Sequence, residues 1–171
     1  ALAGKDSLIL SDALNHNSLI HGCRLARSKI VVYRHNDMQH LADLLAHHAD
    51  KGFKGIFVIT ESVFSMDGDR ADLAALVELS KKFGAFLIVD EAHATGVLGK
   101  MGMGLTCGLD IDLVIGTFGK ACGSFGAYLA CSQNLREFMV NCCAGLIYST
   151  ALPPAVLGAI DAALDLIPAM D

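Results

Sequence analysis

The sequence predicts an α/β fold in which a mostly parallel sheet is covered by helices. Three observations carry that expectation. Short, continuous apolar runs rich in β-branched residues recur along the chain, helical patterns lie between them, and residues able to do chemistry fall just after the runs. Continuous apolar runs mark strands buried on both faces, and strand–helix–strand units make right-handed crossovers onto a parallel sheet. The 171 residues, 53% of them hydrophobic, are enough for one domain with a sizeable core.

In chain order the first run is Leu8-Ile9-Leu10, shortly before Asn15-His16. The second, Ile30-Val31-Val32-Tyr33, leads into His35-Asn36-Asp37. A helical pattern then starts near Asp37, repeats Met38, Leu41, Leu44 and Leu45, and stops before Gly52. The third run, Ile56-Phe57-Val58-Ile59, precedes Ser65-Met66-Asp67-Gly68, and a helix from about Asp69 repeats Leu73, Leu76 and Val77 before Gly84. Phe86-Leu87-Ile88-Val89 leads directly into Asp90-Glu91-Ala92-His93, and Leu113-Val114-Ile115 into Gly116-Thr117-Phe118-Gly119-Lys120. A sixth run, Ala127-Tyr128-Leu129-Ala130, follows a turn containing Gly123 and Gly126. That turn is too short for a parallel crossover, so this strand is expected antiparallel. From Ala155 to Met170 an apolar stretch broken by Asp161, Asp165 and Pro168 reads as an amphipathic helix and not as a membrane span.

Composition excludes several classes of function. The formal charge of −5 comes without a dense basic run, so nothing points to nucleic acid or an anionic membrane as a partner. The six cysteines, Cys23, Cys107, Cys122, Cys131, Cys142 and Cys143, form no CxxC pair, which fits reduced thiols in a cytoplasmic protein, most of them small core residues. His35, His40, His47 and His48 lie on or near one helix with no full metal-ligand spacing and are expected to be solvated. The chain opens on Ala1-Leu2-Ala3-Gly4 without a targeting pattern and closes just after a helical one, and it reads as part of a longer protein. The apolar excess then belongs to a core whose covering elements lie elsewhere.

Parallel strands end on one side of the sheet, where ligands of open α/β folds bind, so residues just after them converge on one crevice. Lys120, among Gly116, Gly119 and Gly123, is placed to form a Schiff base, the alternative being a solvated surface lysine. Asp90, where a buried run ends, needs a cationic partner such as a protonated pyridine nitrogen, or else caps a following helix. His93, three residues on, reaches the same ligand. Asp90-Glu91-Ala92-His93 is also the DEAH string of helicase-type ATPases, but the GxxxxGK[ST] phosphate loop those require upstream does not occur here. His16 and Ser65 carry little weight alone, since the first suits any polar loop and the second any turn.

In their order and spacing the segments from Asn15 to Gly22, His35 to Asp37, Val63 to Asp69, Val89 to His93, Gly116 to Ala121 and Ser149 to Pro154 resemble the α-oxoamine synthases. These are fold-type I enzymes that use pyridoxal 5'-phosphate to condense an amino acid with an acyl-CoA. The likeness spans nearly the whole chain. It implies that residues 1–171 are an incomplete cofactor-binding large domain, with an N-terminal segment and a C-terminal small domain outside it, and that turnover by these residues alone is in doubt. It makes Lys120 the Schiff-base lysine and general base, Asp90 the partner of the pyridine nitrogen, and His93 and Ser65 the neighbours of the ring hydroxyl. His16 would stack on the ring and Thr117 would hold the phosphate. Ser149 and Thr150 would reach the phosphate in the other subunit of a homodimer, so that the two subunits share each site. Ala92 to Gly99 and Ser149 to Pro154 look most like the branch that joins L-alanine to a pimeloyl thioester, carried on CoA or on acyl-carrier protein, in biotin synthesis. The branch joining glycine to acetyl-CoA shares nearly every motif. A reading of a different class is a non-catalytic binding or assembly domain of the same fold, which has no chemical reason to keep Lys120, Asp90 and His93 together.

Overall fold

The computed structural model describes residues 1–170. Six strands form one sheet: β1 (Ser7–Asp12), β2 (Lys29–Tyr33), β3 (Gly55–Glu61), β4 (Phe86–Asp90), β5 (Leu113–Thr117) and β6 (Ala127–Cys131), in the spatial order β2-β1-β3-β4-β5-β6. β1 to β5 are mutually parallel, and β6 runs antiparallel to β5. All six expected strands are present, and the hairpin into β6 follows from the short turn after Lys120.

The helices are α1 (Asn17–Leu25), α2 (Met38–His48), α3 (Leu73–Phe83), α4 (Gln133–Cys142), α5 (Ala144–Ile147) and α6 (Pro154–Leu166), with short 3₁₀ turns at Lys100–Gly102 and Ile167–Met170. Asp37 caps α2 by accepting the His40 N–H, and Asp72 caps α3 by accepting that of Ala75. The helix expected from about Asp69 therefore begins at Leu73, four residues later, and Asp69 is engaged elsewhere. None of the described helices is long and apolar enough to cross a membrane.

Alternation along the strands divides the core into two layers. On one face Leu8, Leu10, Ile56, Val58, Leu87 and Val89 pack against Leu41, Leu45, Leu73 and Leu76 of α2 and α3. On the other, Ile9, Phe57, Ile59, Ile88 and Leu113 meet Cys23 and Leu19 of α1 and Leu135 of α4. The second layer is looser and leaves an apolar cavity of about 420 Å³ between α1, α4 and the sheet.

Burial on both faces holds for the central strands β1, β3 and β4 but not for β2 and β6. Those two are the sheet edges, where Val32 and Leu129 are exposed. The cysteine expectation also fails in part: only Cys23 and Cys122 are buried, and Cys107 and Cys142 are exposed. Two of the four histidines near α2 are not solvated, for His48 is 4% exposed beneath the helix and His35 lies between two carboxylates.

Candidate active site

Because register neighbours in a sheet share a face and every second residue returns to it, the row Ile59, Ile88 and Leu113 places Glu61, Asp90 and Thr117 on that same face, at the carboxyl ends of β3, β4 and β5. They meet in a cleft of about 230 Å³ that His16, His93 and Lys120 also line. Five predicted site residues, His16, Asp90, His93, Thr117 and Lys120, thus come together.

Each arrives by a short local device. His16 caps α1, its Nδ1 accepting the Ser18 N–H at 3.3 Å. Asn15 ties the same turn to β3 through Nδ2, which donates to the Ile59 carbonyl at 2.8 Å. Asp90 Oδ1 accepts the Ala92 N–H at 2.8 Å and shapes a turn; no helix follows, so it is not a helix cap. That turn carries His93 across to Lys120, whose Nζ lies 2.7 Å from His93 Nε2. Partial burial and then the Lys120 charge hold the imidazole below its ordinary value, so at neutral pH His93 is neutral and accepts from the ammonium. Thr117 Oγ1 donates to the Gly126 carbonyl at 3.0 Å and accepts the Gly119 N–H at 3.1 Å, closing the loop that holds Lys120.

Gly116 serves packing more than ligand approach. A Cβ there would overlap the Tyr128 ring on the face opposite the cleft. Against that opposite face, beside Val114, Tyr128 and Ala130, is a larger cavity of about 470 Å³. It is mostly apolar and contains none of the predicted site residues, so size and chemistry point to different places; chemistry decides here, because an ionic ligand needs the charged groups of the cleft.

Three predicted residues lie outside the cleft. Ser65 is exposed at the tip of a hairpin, and Ser149 and Thr150 are exposed between α5 and α6. Two carboxylates escaped the sequence reading. Glu61, 3% exposed, accepts the His16 backbone N–H. Burial raises its carboxyl above the usual range; the His16 amide opposes this and the Asp90 charge adds to it. Glu91, 1% exposed, accepts the Leu105 and Thr106 N–H groups at 3.0 and 2.9 Å and so fixes the loop after His93. An acid at the end of an apolar run was the signal that found Asp90, and it applies equally to Glu61.

The donor set suits pyridoxal phosphate: a primary amine for an aldehyde, a buried acid for a pyridinium, and an imidazole beside the amine. A comparison of the whole chain with known families decides its membership. The profile described as aminotransferase class I and II matches residues 1–171. The chain belongs to that family. It is 65% identical over all 171 residues to a putative 8-amino-7-oxononanoate synthase of Desulfosudis oleivorans, covering 44% of that protein. Among solved structures, a serine palmitoyltransferase with PLP as an internal aldimine superposes with a TM-score of 0.90 at 34% identity, over 99% of this chain and 43% of that one. The 8-amino-7-oxononanoate synthase of Francisella tularensis gives 0.82 at 32% identity, over 98% and 48%. The chain thus has the fold of the fold-type I transferases and spans less than half the length of these relatives.

Proposed function

We propose that this chain forms the catalytic wall of an α-oxoamine synthase, which joins an amino acid to an acyl thioester with loss of carbon dioxide and of the thiol. The observation that carries the reading is Lys120 Nζ, 2.7 Å from a neutral His93 in the cleft that Asp90 closes from below. Pyridoxal phosphate, when bound there, supplies an electron sink for a carbanion at the amino-acid α-carbon. Asp90 would face its pyridine nitrogen, His16 its ring plane and Thr117 its phosphate, with Ser65, Ser149 and Thr150 added from outside the cleft.

The residues of the chain supply the proton handling. Lys120 is the base at the α-carbon, and His93, by accepting from its Nζ, fixes where the amine sits and which way its lone pair turns once it is neutral. Asp90 is buried at the end of β4, where a cationic partner would offset the cost of an unpaired buried charge. Glu61 holds the His16 turn from beneath.

The 65% identity to a putative 8-amino-7-oxononanoate synthase supports L-alanine and a pimeloyl thioester as the substrates. Glycine with acetyl-CoA is the second reading, favoured by the motifs the two branches share. The different-class reading, a non-catalytic domain, is disfavoured by the intact Lys120–His93 contact. Adding pyridoxal phosphate to the complete protein, reducing with borohydride and mapping peptides should place the label on Lys120. Label on another lysine, or none, overturns the proposal. Comparing alanine plus pimeloyl-CoA with glycine plus acetyl-CoA then separates the branches.

A further inference from the structure

On the face of the sheet opposite the cleft, β1 ends in Asp12, whose side chain is 0% exposed. The His35 ring, just after β2, lies between two carboxylates: Nδ1 is 2.8 Å from Asp12 Oδ1 and Nε2 is 2.7 Å from Asp69 Oδ2. A neutral imidazole has one N–H and one lone pair, so it cannot donate to both. Either the ring carries two protons or one carboxyl is protonated. The remaining contacts decide in favour of the imidazolium. Asp12 also accepts the Leu14 N–H at 2.8 Å and the Asn36 N–H at 3.1 Å, and Asp69 Oδ2 accepts Asn36 Nδ2 at 2.6 Å. Donors converging on a carboxylate favour its ionised form. Partial burial works to lower the His35 value, and the bonds to Asp12 and then Asp69 outweigh it, leaving it above the ordinary imidazole value.

Asp69 belongs to a small hairpin. Phe64 N–H donates to the Asp69 carbonyl at 3.0 Å, Ala71 N–H to the Ser62 carbonyl at 3.1 Å, and Val63 bridges Arg70. Its tip is Ser65-Met66-Asp67, with Met66 90% exposed. The buried Phe64 ring stands edge-on to His35, with centroids 4.5 Å apart. Asn36 takes a left-handed φ of 51°, which brings its amide onto the same Asp69 oxygen that His35 meets.

We propose that His35 is a positioning residue: as an imidazolium it clamps Asp12 at the end of β1 to Asp69, and so sets the Ser65 hairpin over the carboxyl ends of the strands. Only the statement that Ser65 meets the cofactor rests on the proposed function; the clamp does not. The ionisable groups facing the ring are Asp12 from β1 and Asp69 from the hairpin, and the neighbouring Arg34 is paired with Asp37 at 2.7 Å. The value is raised, so the clamp is complete below the ordinary imidazole range, about 6.5, and opens as pH climbs through the raised value.

Histidine nitrogen NMR on the complete protein, titrated from about pH 6 to pH 9, tests this directly. Both His35 nitrogens should be protonated at neutral pH, with a midpoint above 6.5. Amide exchange across residues 62–71, corrected for its intrinsic pH dependence, should accelerate by about tenfold or more above that midpoint, as loss of a charge-assisted hydrogen bond requires. In His35→Gln the same amides should exchange fast at every pH, and Asp69→Asn should lower the His35 midpoint. One unprotonated His35 nitrogen at neutral pH, or exchange of 62–71 indifferent to both pH and His35→Gln, overturns the clamp. Should the variants fail to fold, the parent's titration alone decides. If the titration behaves as stated and pyridoxal phosphate still does not bind, the proposed function falls and the clamp stands.

Discussion

Glu61 takes the His16 N–H from inside the protein, so its two possible losses, of charge and of acceptor, can be separated. Burial and the Asp90 charge raise its carboxyl despite the His16 amide, so ionising it costs folding stability. For a group shifted upward the contribution is favourable below the unfolded value and is lost as pH rises through the folded one. Glu61→Gln keeps an acceptor for His16 and cannot ionise. Its stability relative to the parent should therefore improve as pH rises from about 4 to 7, across and above the ordinary glutamate value. Glu61→Ala leaves the His16 N–H without its acceptor and should cost about 1 to 3 kcal/mol. Urea unfolding at several pH values measures both; a Gln variant that loses stability against the parent on that climb contradicts the assignment. The same reasoning shows why Glu61 and Glu91 were hard to see in the sequence. Glu91 shares the string of Asp90 and Glu61 also ends an apolar run, but both glutamates act by accepting backbone N–H groups from loops distant in sequence, which no local pattern announces.

At the scale of elements, α3 shows which signals the sequence carries well. Asp72 caps its first turn at 3.0 Å from the Ala75 N–H, Gly84 ends it with a φ of 62°, and Leu76 is fully buried on its inner face. Cap, stop and stripe are local, so the helix was legible apart from its exact start. Local capping is worth less than packing, and the two should separate by experiment: Asp72→Ala costs about 1 kcal/mol, while Leu76→Ala costs about 2 to 5 kcal/mol. Chemical denaturation that ranks them the other way would mean that α3 is held by its ends and not by the core. The six strands were legible for a similar reason, their apolar runs being continuous. Strand order was not, because pairing is decided by contacts far apart in sequence. The convergence of Asp90, His93, Thr117 and Lys120 nonetheless followed from parallel topology, since β3, β4 and β5 lie side by side. Ser65 was expected in the same crevice because it also follows a strand. It lies at the exposed tip of a hairpin, outside the cleft lining, and the Asp69 of that hairpin meets His35, a contact no local pattern announces.

At the scale of the whole molecule, the cleft is one-sided. The described residues that line it run from His16 to Ala127, while Ser149 and Thr150 are exposed elsewhere, beside Tyr148 at 86% exposure. Exposed apolar side chains such as Tyr148, Leu146 and Ile147 next to them are what a subunit contact would cover. In the homodimer that the resemblance implies, Thr150 would serve the site whose Lys120 belongs to the other subunit. Thr150→Ala should weaken pyridoxal phosphate by about 10- to 100-fold, the loss of one hydrogen bond to a charged group. Co-expressing Lys120→Ala chains with Thr150→Ala chains then separates shared from self-contained sites. In a mixed dimer with shared sites, one site combines the intact Lys120 of one chain with the intact Thr150 of the other, and the second site carries both lesions. Borohydride labelling of purified mixed dimers should therefore reach about half of the sites, by two-fold symmetry, and do so at the parent's cofactor affinity. If the labelled sites instead show the weakened affinity of Thr150→Ala, each subunit uses its own Thr150 and the sharing is disproved.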